Sequence, residues 1–208
     1  MLRPETTEAY LSILREELVP ATGCTEPIAL AYAAARLRAL LGAAPARIEA
    51  EISGNIIKNV KSVVVPNTGG RKGIAAAIAA GVVAGDAARE LQVIAEVPAA
   101  QHAAIGAYAD ATPIAIRCAD TTRLLDIRLT GFAGAHTATV QIANSHTNVV
   151  YESRDGETLL QKPFTDSPED NLTDKSVLNV ADILEFADTV DLARVQDLLE
   201  AQLTCNLA

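Results

Sequence analysis

The chain has 208 residues, half of them hydrophobic, which is enough to bury a core as one large domain or two small ones and excludes a disordered chain. Its 17 Lys and Arg face 26 Asp and Glu, a formal charge of -9 with no basic tail, which argues against nucleic acid as a partner. No apolar run reaches the roughly 20 residues a bilayer demands, the first residues lack the apolar stretch of a secretory signal, and three scattered cysteines read as reduced thiols, so the expected setting is the cytoplasm, away from membranes.

In chain order, Thr7 to Leu18 places Tyr10, Leu11, Leu14 and Leu18 at helical spacing, which predicts an amphipathic opening helix. Pro27 to Leu41 is rich in Ala and Leu, carries Arg36 and Arg38 late and is closed by Gly42, which predicts a buried helix with cations at its negative end. Arg47 to Ser53 alternates Ile48, Ala50 and Ile52 with charged residues, the period of a strand with one wet face. A short polar helical segment follows Gly54. Small residues from Ile74 to Val83 predict a helix that packs closely on its neighbours, and Gln101 to Asp110 reads as another beyond Pro98.

From Ile114 to Lys162 the signal changes to β: strands are expected at Ile114 to Arg117, Leu124 to Leu129, Thr137 to Ile142, Asn148 to Ser153 and Thr158 to Gln161, with a hairpin turn at Asp155-Gly156. Phe164 to Lys175 reads as a loop, after which Val180 to Thr189 and Leu192 to Leu203 return to helical spacing. The last helix runs almost to Ala208 with neither a C-cap glycine nor a polar tail, which reads as a chain that continues. The expected architecture is α+β. A helical layer from residues 1–45 and 72–110, with helices again over 178–206, packs on an antiparallel sheet formed mainly by residues 46–53 and 112–162.

Four segments carry side chains suited to chemistry. In Thr22-Gly23-Cys24-Thr25-Glu26-Pro27, Thr25 reads as N-cap with Glu26 and Pro27 in the opening turn, so Cys24 stands just before a helix start. Free backbone N–H groups and the helix dipole there favour a thiolate, hence metal ligation or nucleophilic attack, although an inert buried cysteine fits the same sequence. In Gly54 to Ser62 a helix puts Asn55, Lys58, Asn59 and Ser62 on one face, where they could hold the polar ends of an amino acid or simply face solvent.

Pro66-Asn67-Thr68-Gly69-Gly70-Arg71-Lys72-Gly73 is a glycine-rich turn that can present backbone N–H groups to an anion, but it does not match the P-loop pattern. A pyridoxal-phosphate lyase would need a Schiff-base lysine and a phosphate cup, for which Lys72 beside Gly69, Gly70 and Gly73 is a pairing that nothing else in the sequence supports. Asn144-Ser145-His146-Thr147-Asn148 lies between two strands, where His146 could serve as acid or base or remain a solvated loop histidine. His102 and His136 read as structural or exposed.

Taken in order, Gly23-Cys24-Thr25-Glu26-Pro27, the Asn55 to Asn59 segment, Pro66-Asn67-Thr68-Gly69 and His146-Thr147-Asn148 resemble the serial motifs of L-cysteine desulfidases, within the serine dehydratase alpha-like family with its uncharacterised bacterial members. The resemblance runs to Leu203-Thr204-Cys205-Asn206 and covers the amino-terminal half of such enzymes. It implies a lyase that converts L-cysteine to hydrogen sulfide, ammonia and pyruvate with a [4Fe-4S] cluster held by three cysteines. Cys24 matches the first of them, and the other two are expected outside this chain, so neither Cys118 nor Cys205 is assigned to the cluster.

It further implies substrate binding by Asn55, Asn59, Asn67, Thr68, Gly69, Thr147 and Asn148, and a base at His146 or Lys58. L-Serine dehydratase activity is the related alternative. A non-catalytic subunit, as a homo-oligomer or paired with a separate carboxyl-terminal half, is the alternative of a different class.

Overall fold

The computed structural model describes residues 2–163 and 173–207. Its elements are α1 (Pro4–Glu17), α2 (Thr25–Leu41), β1 (Arg47–Ile52), α3 (Gly54–Val60), α4 (Gly73–Ala84), α5 (His102–Ala111), β2 (Ile114–Cys118), β3 (Asp126–Ala133), β4 (His136–Ala143), β5 (Val149–Arg154), β6 (Glu157–Gln161), α6 (Val180–Thr189) and α7 (Gln196–Leu207). Among the described residues, 21–163 form one compact unit and 2–20 with 173–207 another. None of the described helices is long and apolar enough to cross a membrane.

The larger unit is a six-stranded sheet, in the order β2-β1-β3-β4-β5-β6, under a layer of helices. The strand period puts Ile52, Ile127 and Ile142 in one cross-strand row, Ala50, Leu129 and Val140 in the next, and Ile48, Gly131 and Ala138 in a third, all turned to the core. Polar residues such as Glu51, Thr130 and Gln141 take the other face. The expected α+β class holds, with one difference in the sheet. Ile114 to Cys118 pairs with β1 in parallel and forms an edge, instead of continuing the antiparallel meander. The chain from Ser53 to Pro113 crosses over β1 through three helices and so returns in the same direction, which makes parallel pairing the natural outcome.

Helix α2 is apolar on every side because it is covered all round: Ile28 to Ala35 are buried without interruption. Gly42, with φ 72°, takes the left-handed position after its last turn and donates its N–H to the Arg38 carbonyl. Arg38 in turn donates to the carbonyls of Val82 and Gly85 at 2.9 and 2.7 Å, tying the C-terminal ends of α2 and α4 together. Gly81 allows the close approach of α4, since a Cβ there would lie 2.0 Å from the Ala31 carbonyl oxygen. Asp155 and Gly156, with φ 52° and 85°, make the tight turn between β5 and β6 that their sequence predicts.

The smaller unit packs Tyr10 and Leu11 of α1 with Phe186 of α6 and Val195. The Tyr10 and Phe186 rings meet edge to face at 5.4 Å, and the Tyr10 hydroxyl donates to the Val177 carbonyl. Asn179 caps α6 by accepting from the Asp182 N–H at 2.9 Å, which sets the start of that helix where the sequence places it. The expected helix over Leu192 to Leu203 is broken at Val195, whose ψ of 0° separates a short 3-10 turn from α7. Most of the expected loop from Phe164 to Lys175 lies outside the described residues.

Candidate active site

Three segments far apart in sequence meet at the start of α2. Cys24, and not Thr25, is the N-cap residue, and its side chain makes no capping bond. The thiol donates instead to Glu26 Oε2 at 3.0 Å. The other oxygen, Oε1, accepts from the Asn59 side-chain amide on α3 at 3.1 Å. The Glu26 charge also acts on His146, in the β4–β5 loop. A fourth segment adjoins: Gly23, at φ 82°, lies so close to Pro66 that a Cβ would sit 3.2 Å from its ring.

The electrostatics follow from these contacts. The thiol hydrogen bond from Cys24 holds the Glu26 carboxyl below its ordinary value against burial, helped by the residue's own N–H, the Asn59 amide and the field of His146. Partial burial pushes the Cys24 thiol up, and the carboxylate beside it pushes further the same way, while the backbone N–H of Glu26 pulls weakly down. The sequence expectation of a favoured thiolate at this helix start is therefore reversed, because a negative side chain lies closer than the helix dipole can offset. Burial lowers His146, opposed by the Glu26 charge, so its imidazole is neutral at neutral pH and able to accept a proton.

The remaining sequence candidates divide into those that border this cluster and those held by their own segments. Asn55 is half-buried and Lys58 exposed on α3, and neither side chain has a hydrogen bond or ion pair among the described residues. Ser62 lies beyond the end of α3. Asn67 sits at φ 55° and donates to the carbonyls of Ile94 and Ala95 at 2.9 and 3.1 Å. Thr68 is buried and donates to the Val65 carbonyl at 2.7 Å, and Gly69 packs beside His102. Thr68 bonds within its own turn, Asn67 ties that turn to Ile94 and Ala95, and both side chains are already engaged.

Thr147 is half-buried next to His146. Asn148 donates to the Ala143 carbonyl and accepts from Lys162, closing the loop that carries His146. His136 binds Asp155 at 2.8 Å at the sheet's far hairpin.

Glu26 is the residue that sequence reasoning passed over as a mere first-turn acid; the only local signal was a carboxylate two positions after the cysteine. Among the described residues no group of three or more His, Cys, Asp or Glu could hold a metal ion. Cys24 is exposed and fits a single ligand position, with Glu26 placed to take the thiol proton that metal binding releases. Cys118 beside Gly54 and Cys205 on α7 are also free thiols.

No family model and no solved structure matches the chain. Among curated proteins it is 47% identical over 201 residues to a UPF0597 protein of Desulfitobacterium hafniense, covering 97% of this chain and 47% of that one. A UPF0597 protein of Treponema denticola is 44% identical over 201 residues, covering 96% and 47%, and one of Finegoldia magna is 42% identical over 199 residues, covering 95% and 47%. The chain is thus similar to UPF0597 proteins along nearly all of its own length, and spans about half the length of the curated relatives it matches.

Proposed function

We propose that this chain is the amino-terminal part of a cytoplasmic L-cysteine desulfidase-type lyase of the serine dehydratase alpha-like family, incomplete for catalysis by itself. The reading is supported by one observation: three of the four motif segments behind that resemblance, through Cys24, Asn59 and His146, have bonded or electrostatic contact to Glu26. A relative about twice as long leaves room for the further ligands that Cys24 alone does not supply. When bound, a [4Fe-4S] cluster with an open iron would supply Lewis acidity toward the leaving sulfur.

The chain's own residues provide the rest of the chemistry. Neutral His146 accepts the α-proton of L-cysteine, with Lys58 as the other candidate base. The electron pair left on Cα forms the Cα–Cβ double bond as the Cβ–S bond breaks and sulfide departs. Tautomerisation of the enamine and addition of water release ammonia and pyruvate. Asn55 and Asn59 on α3 would orient the carboxylate and amino groups, with Thr147 beside the base; Glu26 receives the Cys24 proton and keeps Asn59 in place.

The test is anaerobic reconstitution with iron and sulfide of this chain joined to the other half of a full-length relative. Expected are a visible cluster absorbance that Cys24→Ser abolishes, and sulfide release from L-cysteine that His146→Ala or Asn59→Ala lowers at least a hundredfold with the absorbance retained. A protein that forms no cluster and releases no sulfide overturns the reading, and full activity in both alanine variants removes the assigned site.

A further inference from the structure

The open face of the sheet carries a row of polar side chains in register. Arg128 on β3 lies opposite Gln141 on β4, Gln141 opposite Tyr151 on β5, and Tyr151 opposite Gln161 on β6. With the following Lys162 they line a cleft of about 350 Å³, within the size range of small-ligand sites. The Arg128 guanidinium stacks 4.9 Å from the centre of the Tyr151 ring and donates to Gln141 Oε1 at 3.0 Å, with most of its five N–H groups left over. Lys162 donates to Asn148 Oδ1 at 3.2 Å.

Neither cation has a carboxylate partner among the described residues. The acid in register with Arg128 on β1 is Glu51, which pairs with Arg117 at 3.6 Å. Asp126 reaches the row only through the Gln141 amide at 2.8 Å, and its charge is offset by Arg123 at 3.1 Å. A chain of net charge -9 thus places around one concavity, walled by an aromatic ring and two carboxamides, two cations that lack a carboxylate partner among the described residues.

We propose that this cleft is an oxyanion-binding site for a small carboxylate- or phosphate-bearing ligand. Arg128, with its guanidinium over the Tyr151 ring, supplies the planar fork that carboxylates and phosphates accept in pairs, and Lys162 supplies a mobile point charge. The site shares no residue with the Cys24–Glu26–His146 cluster, touches it only through the Lys162 bond to Asn148 in the loop that carries His146, and does not rest on the lyase reading.

Calorimetric titration of this chain with inorganic phosphate and with malonate, at constant ionic strength set by chloride, tests it. Saturable one-to-one binding of at least one of the two is expected. Arg128→Met should weaken it about tenfold or more and Lys162→Met several-fold, while Arg3→Met, a charge lost elsewhere, leaves it unchanged. Phosphate alone would identify a phosphoryl ligand, malonate alone a carboxylate. Failure of both to bind, or equal binding in the Arg128→Met/Lys162→Met double variant, overturns the proposal. Far-ultraviolet circular dichroism of the exposed Lys162→Met variant guards against loss of fold as the cause.

Discussion

Gly81→Ala tests the packing of α4 on α2, on which the whole helical layer depends. The new Cβ would lie 2.0 Å from the Ala31 carbonyl oxygen and 2.8 Å from the Ala31 Cα, in a region with no solvent exposure. Both obstacles are backbone, so no rotamer change relieves them and the helices must separate by roughly 1.2 Å to regain ordinary contact. Over a helix of 12 residues, about 18 Å long, a rigid retreat opens a slot on the order of 150 Å³, which at about 24 cal/mol per Å³ costs about 4 kcal/mol. Tilting recovers part of that, and alanine gains up to about 1 kcal/mol in helix propensity, which leaves a net loss of about 2 kcal/mol. In urea the transition of the larger unit should move to lower denaturant at unchanged slope, with that of the smaller unit as internal reference. A midpoint equal to that of the parent, or a higher one, would refute the claim that backbone contact at Gly81 sets the helix spacing.

Two further predictions concern the site. Burial holds His146 below its ordinary 6.5, so as pH falls the unfolded chain takes up this proton before the folded one. The corresponding stability is present above about 6.5 and is lost as pH falls from there through the lowered value of the folded state; His146→Gln should flatten this part of the pH profile of urea unfolding, and an unchanged slope would show that the imidazole is not desolvated. Removing the Glu26 charge should ease ionisation of the neighbouring thiol, so Glu26→Gln is expected to speed iodoacetamide alkylation of Cys24 at pH 8 several-fold, counted by mass spectrometry of the Cys24 peptide. Slower or equal alkylation would contradict the direction assigned to Glu26.

Local chemistry made much of the fold legible. Val180–Thr189 is bounded as the sequence predicts because a capping Asn179 and an apolar period agree, and the Asp155-Gly156 turn follows from two residues that tolerate positive φ. The edge strand Ile114–Cys118 has the right type and the wrong expected pairing, since direction is set by the crossover and leaves no mark within the strand. The site was half legible. Cys24, Asn59 and His146 could be named from their segments, yet the hub Glu26 draws its meaning from Asn59, 33 positions away. Asn67 and Thr68 illustrate the opposite error of inference, for polar loop residues are as readily consumed by backbone carbonyls, those of the same turn for Thr68 and of the distant Ile94 and Ala95 for Asn67.

The uninterrupted burial of α2 also shapes how the molecule must come into being. Its covers, β3, β4 and α4, all follow it along the chain, and β3 is made only after everything from Ser53 to Leu125. A ribosome therefore releases a helix that is apolar on every side long before its partners exist, whereas β3 to β6 form a meander of neighbouring strands that can pair as soon as they emerge. The late meander supplies the surface on which the early helix settles, and during that interval the nascent chain is most exposed to aggregation and most in need of a chaperone.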